Sequence, residues 1–133
     1  MNETVLVEFD SRVCRLTLNR PTVLNALNHE VFSQLLAAIE SIAAKGDDVG
    51  CVILSGSGKA FSSGHDLNDI SSGEEAQHAD FEASVLEALA SLPLPVIAQV
   101  HGYCFTGALE LALAADLIFC LLYTSPSPRD GLL

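Results

Sequence analysis

The sequence predicts an α/β domain. Two observations carry the prediction: apolar residues switch along the chain between helical spacing and short β-branched runs, and the succession of helix, buried strand, glycine-containing turn and helix start occurs twice, around residues 28–70 and 75–115. Composition allows one such domain, since half of the 133 residues are hydrophobic and only 17% are charged. With 6 Lys and Arg against 17 Asp and Glu, the net charge is −11, which argues against a nucleic-acid-binding surface.

The chain opens with a predicted hairpin. Residues 5–9 and 13–18 alternate like strands, and Asp10, Ser11 and Arg12 supply the turn. Asn19, Arg20, Pro21 and Thr22 break that pattern. From Asn28, an N-cap residue type, Val31, Phe32, Leu35, Leu36, Ile39 and Ile42 recur at helical spacing until Lys45 and Gly46 signal the end. Residues 51–54 read as a buried strand running into the Gly/Ser-rich turn 55–58. Residues 75–92 read as a second amphipathic helix, with Phe81, Val85, Leu89 and Leu92 on one face, stopped by Pro93 and Pro95. A second buried strand is expected over 95–100, and the Ala/Leu-rich run 108–115 is helical by propensity.

Cys14, Cys51, Cys104 and Cys120 form no C-x-x-C pair, and three of them lie in apolar runs, so buried reduced thiols are expected. Neither the basic nor the apolar part of a secretory signal stands at the N-terminus, and the most apolar stretch, 108–123, is interrupted by Glu110 and Asp116. That stretch falls short of the ~18 uncharged residues a spanning helix needs, so a cytoplasmic location without membrane contact is expected. After Cys120 the composition changes abruptly. Residues 120–133 have two prolines and neither period, and read as a non-native or disordered tail on a domain of residues 1–119.

Three segments invite chemistry. Gly56, Ser57, Gly58 and Lys59 suggest a phosphate loop, but Ile53 and Ala60 occupy positions where that loop needs Gly and Ser or Thr, and Phe61 defeats a dinucleotide fingerprint. In residues 60–67 (AFSSGHDL), Gly64 lets the backbone turn tightly and exposes the amides that follow. In residues 101–116 (HGYCFTGALELALAAD), Gly107 stands at a predicted helix start with Glu110 one turn on, which pairs unsatisfied N–H groups with a carboxylate. An acid on an otherwise apolar helix is either a buried carboxylate with a structural partner or a functional group, and isolated buried acids concentrate at functional sites. His29, His78 and His101 are scattered without metal-ligand spacing, so no metal is expected.

Together with residues 18–27 (LNRPTVLNAL), these last two segments resemble the crotonase family, the enoyl-CoA hydratase/isomerase superfamily, in its order and spacing. The resemblance covers residues 4 to about 119, the N-terminal half of a family member. It implies a crotonase-like spiral of ββα repeats, truncated here, with a CoA thioester bound between the turns. Carried over by position, it assigns the backbone N–H groups of His65 and Gly107 to an oxyanion hole, and Glu110 to general acid/base work. Val23, Ala26, Ser63, Asp66 and Leu67 match positions lining the CoA and acyl groove. It implies acyl-CoA chemistry of fatty acid metabolism, most simply as an enoyl-CoA hydratase or isomerase (a lyase or isomerase). No cofactor is implied beyond the CoA of the substrate, and the full-length parent is implied to be a homotrimer or hexamer.

The sequence departs from the family pattern in two places: His65 and His101 stand where a small residue and Asn are common. The imidazole of His65 is assigned no role beyond its backbone. The second acid lies beyond position 119, so a hydrolase or decarboxylase, or a non-catalytic fragment, is the alternative. Arg20 and Lys59 are the candidate cations nearest to the expected CoA phosphates, with ordinary solvated surface charge as the other reading.

Overall fold

A computed structural model describes residues 3–121 of the chain. Strand β1 (Val5–Asp10) pairs antiparallel with β2 (Val13–Leu18), from Val5 opposite Leu18 to Asp10 opposite Val13. Ser11, at φ 55°, turns the chain between them. Strands β3 (Cys51–Gly56), β4 (Val96–Val100) and β5 (Leu117–Cys120) then add in parallel, giving the order β1-β2-β3-β4-β5.

Parallel neighbours need crossovers, and the helices supply them. Helix α1 (His29–Lys45) joins β2 to β3, α2 (Leu67–Ser72) and α3 (Glu74–Ala90) join β3 to β4, and α4 (Gly107–Leu113) joins β4 to β5. The Asn28 side chain accepts a hydrogen bond from the Val31 N–H and caps α1 as its residue type suggests. The buried stripe Val31, Phe32, Leu35, Ile39 and Ile42 of α1 joins Leu16, Leu18, Val52, Leu54, Val85 and Leu89 in one hydrophobic cluster. Each of these side chains contributes about 1.5–3 kcal/mol by leaving water.

Hairpin, first helix, both buried strands and the 75–92 helix, found as α3, lie where the sequence puts them, whereas the burial of the cysteines is corrected. A short helix that the sequence does not announce precedes α3: Asp66 Oδ1 accepts from the Asn68 N–H and starts α2, and Gly73, at φ 81°, separates it from α3. The apolar run after Ala115, to which the sequence assigns no element, is β5, whose pairing with β4 reaches Cys120 and is followed by a bond from the Leu121 N–H to the Val100 carbonyl, 2.7 Å. The expected tail largely falls on residues 122–133, outside the described residues. Only Cys14 of the four free thiols is fully buried, and Cys120 is exposed because nothing in the described chain covers β5. Burial pushes the Cys14 thiol up to about 11.

Among the described residues, no helix is long and apolar enough to cross a membrane. The outer side of α4 and β5 is apolar and open, with Leu113 64% and Phe119 57% exposed.

Candidate active site

The site is assembled from three loops at one end of the parallel strands, beginning with the segment between β2 and α1. There Leu24 and Asn25 both adopt φ 54°, a left-handed conformation that Asn tolerates better than Leu. Asn25 is 1% exposed. Its Oδ1 accepts from the Arg20 N–H at 2.7 Å, and its Nδ2 donates to the carbonyls of Ser57 and Ala60 at 2.8 and 2.9 Å. The Ser62 hydroxyl donates to the Asn25 carbonyl at 2.7 Å. One amide thus ties the loop before α1 to the loop after β3.

The second loop crosses the first at a parallel bridge of Leu27 with His65, made by the Leu27 N–H to the Gly64 carbonyl and the Asp66 N–H to the Leu27 carbonyl, 2.8 and 2.9 Å. In such a bridge the N–H of the central residue, His65, is directed away from Leu27. Gly64 is required here: at φ 97°, a Cβ would lie 2.8 Å from the Phe105 carbonyl oxygen and 2.5 Å from the Thr106 hydroxyl. That close approach lays the second loop against the start of α4, the third part of the site.

Gly107 is the first residue of α4, where backbone N–H groups have no intrahelical acceptor. A Cβ there would sit 2.6 Å from Cε1 and Nδ1 of His65, so the imidazole rests directly on the glycine Cα. The two residues whose amides the resemblance paired are therefore neighbours, although 42 positions separate them in the chain.

The His65 side chain has a role the sequence reading did not give it. Its Nε2 is 2.9 Å from Oε2 of Glu82 on α3, and its ring stacks on Phe32 with centroids 6.3 Å apart. Glu82 escaped notice although a signal was there: with Val85, Leu89 and Leu92 it completes one helix face, at a position where an apolar residue fits the period.

His65 borders two hollows. One is a groove of about 580 Å³ whose walls include all five residues assigned to the CoA and acyl groove, Val23, Ala26, Ser63, Asp66 and Leu67. The other is a cavity of about 250 Å³ lined by Phe32, His65, Ala79, Glu82, Ala83, Leu86 and Glu110. Glu110 is solvent-exposed, not a buried carboxylate, because α4 turns that face away from the sheet along with Leu109 and Leu113.

The two charged residues Arg20 and Asp66 of the groove are already engaged with each other. Asp66 accepts from Arg20 Nη1 at 3.0 Å, and the same nitrogen donates to the Ala26 carbonyl at 2.7 Å. Lys59 is exposed. His101 Nε2 donates to the Gly58 carbonyl at 2.7 Å, a structural tie between the second and third loops. His29 and His78, far apart in sequence, stack with centroids 4.0 Å apart. Among the described residues, no three His, Cys, Asp or Glu side chains gather closely enough to hold a metal ion.

Fold and site together define the N-terminal half of a crotonase-fold protein. The Enoyl-CoA hydratase/isomerase family model matches residues 8–123, and the chain belongs to that family. It is 41% identical over 118 residues to "Probable enoyl-CoA hydratase echA8" of Mycobacterium tuberculosis, covering 87% of this chain and 45% of that protein. It is 34% identical over 125 residues to the 1,2-epoxyphenylacetyl-CoA isomerase of Escherichia coli, covering 89% and 47%. Its structure is similar to that of an enoyl-CoA hydratase/carnithine racemase from Magnetospirillum magneticum, with a TM-score of 0.82 at 32% identity over 90% of this chain and 47% of the other. An enoyl-CoA hydratase from Mycobacterium smegmatis gives 0.81 at 35%, covering 90% and 48%. The chain spans about half the length of the curated relatives it matches.

Proposed function

We propose that the chain is the acyl-CoA-binding half of an enzyme that adds water to, or moves, the double bond of an enoyl-CoA. The observation that carries this reading is the position of His65, which borders both groove and cavity while its ring lies on Gly107. A thioester seated at that junction would have CoA in the groove, the acyl group in the cavity and its carbonyl at the two amides.

The chemistry follows from where charge develops. Attack of water on the β-carbon pushes electrons through the double bond onto the thioester oxygen. The N–H groups of His65 and Gly107, fixed before the reaction starts, stabilise that enolate oxygen, and losing one such donor typically costs on the order of 10²–10³ in rate. Glu110, facing the cavity, takes the proton from water, and the second acid that the resemblance places beyond position 119 gives its proton to the α-carbon to complete the addition. In the isomerase version a carboxylate at the same place moves a proton between two carbons of the same enolate. Val23, Ala26, Ser63, Asp66 and Leu67 hold the CoA and acyl portions.

The complete protein is read as a cytoplasmic homotrimer or hexamer that uses no cofactor besides the CoA of its substrate. A second reading, favoured by the open apolar side of α4 and β5, is that residues 1–133 alone bind but do not turn over substrate. Replacing Glu110 with Gln in the complete protein tests the main reading: hydration of crotonyl-CoA should fall at least about a hundredfold, and undiminished turnover refutes the assignment.

A further inference from the structure

The cavity beside Glu110 has a second acid in its wall. Glu82 is only 8% exposed, and its Oε2 is paired with His65 Nε2 at 2.9 Å. Phe32, Ala79, Ala83 and Leu86 make up the rest of that wall. At about 250 Å³ the cavity has room for roughly eight water molecules' share of liquid volume, so it suits a short acyl group.

The chemistry of the wall is selective. A carboxylate has acceptor capacity for about four hydrogen bonds and no donor, and the imidazole takes up only one. A plain alkyl chain pressed against this pair strips water from it and returns nothing, which is costly for buried polar and charged groups. A hydroxyl on the chain replaces the lost water with a charge-assisted bond.

We propose that Glu82, held in place by His65, is a specificity-determining residue of the acyl cavity, selecting short acyl groups that carry a hydroxyl over plain alkyl chains of the same length. The inference rests on the acyl-CoA reading above and adds the substrate class. It gives α3 a part in the site separate from that of Glu110, which faces the reacting water.

The test compares kcat/KM of the complete protein for crotonyl-CoA and for the same thioester hydroxylated at its terminal carbon. One hydrogen bond to a charged group predicts a preference for the hydroxylated substrate of roughly ten- to hundredfold. Glu82→Leu should erase that preference. Glu82→Gln, isosteric and therefore gentle on the fold, should lower it at least about threefold, because a neutral acceptor replaces a charged one. Equal kcat/KM for the two substrates in the wild type, or an unchanged ratio in Glu82→Gln, overturns the inference while leaving the acyl-CoA reading intact. Turnover of neither substrate by the wild type removes both.

Discussion

Asn25 offers a quantitative test of how the site is held together. Replacing it with Ala removes three side-chain hydrogen bonds, to the Arg20 N–H and to the Ser57 and Ala60 carbonyls. At about 1 kcal/mol net for each, this costs about 3 kcal/mol. Holding alanine at φ 54° adds about 1 kcal/mol, for a total near 4 kcal/mol. Asn25→Gly escapes the backbone cost and should be about 1 kcal/mol milder. Asn25→Asp is the sharper probe. It keeps the acceptor for Arg20 but turns a carboxylate oxygen toward two carbonyl oxygens, so the nearly isosteric change should destabilise more than alanine does. Urea denaturation followed by far-ultraviolet circular dichroism gives the order directly. If Asp is as mild as Ala, the amide does not point as described, and the claim that it ties the two loops fails.

Further outcomes follow from the same geometry. Gly107→Ala drives a methyl group to within 2.6 Å of an imidazole anchored by Glu82 and Phe32, so stability should fall by about 1–3 kcal/mol; kcat on crotonyl-CoA should fall at least about tenfold with little change in KM. Asn28→Ala removes the α1 cap and should cost about 1 kcal/mol in the same denaturation assay. The Cys14 thiol is raised from 9.0 to about 11 in the folded chain, so the folded state keeps its proton longer than the unfolded state does. Its contribution, about 2–3 kcal/mol, should be intact below pH 9 and lost as pH rises through 11; a Cys14→Ala variant should show less of this alkaline loss. A thiol reagent at pH 8 should label exposed Cys120 well before Cys14.

What could be read from the sequence depended on whether the information was local. The N-cap and stripe of α1 lie within one turn or one face, so periodicity locates that helix almost to the residue. The short apolar runs of β3 and β4 are similarly self-contained. Helix α2 was hidden because its start depends on the side chain of Asp66, which also pairs with Arg20, 46 positions earlier. β5 was hidden because an apolar run of four residues directly after a helix has no period of its own, and only pairing with β4 makes it a strand. For the site, motif resemblance was enough to gather five groove residues that share one wall. It gave no view of Glu82, whose importance comes from a contact between α3 and the loop after β3. The exposure of Glu110 was likewise out of reach, since a carboxylate on an apolar helix faces whichever side its neighbours leave open.

The two edges of the sheet are finished differently. At the β1 edge, Glu8 and Asp10 put charge on an outer strand and Lys45 lies over the Phe9 ring, 4.5 Å from its centroid, which discourages another strand from pairing there. The β5 edge has the sequence LIFC, without charge or proline, and every one of its residues is exposed. Among the described residues nothing pairs with or covers this edge, and an apolar edge of this kind templates cross-β association. Left uncovered, such an edge is prone to edge-to-edge self-assembly, so solubility depends on what packs against β5.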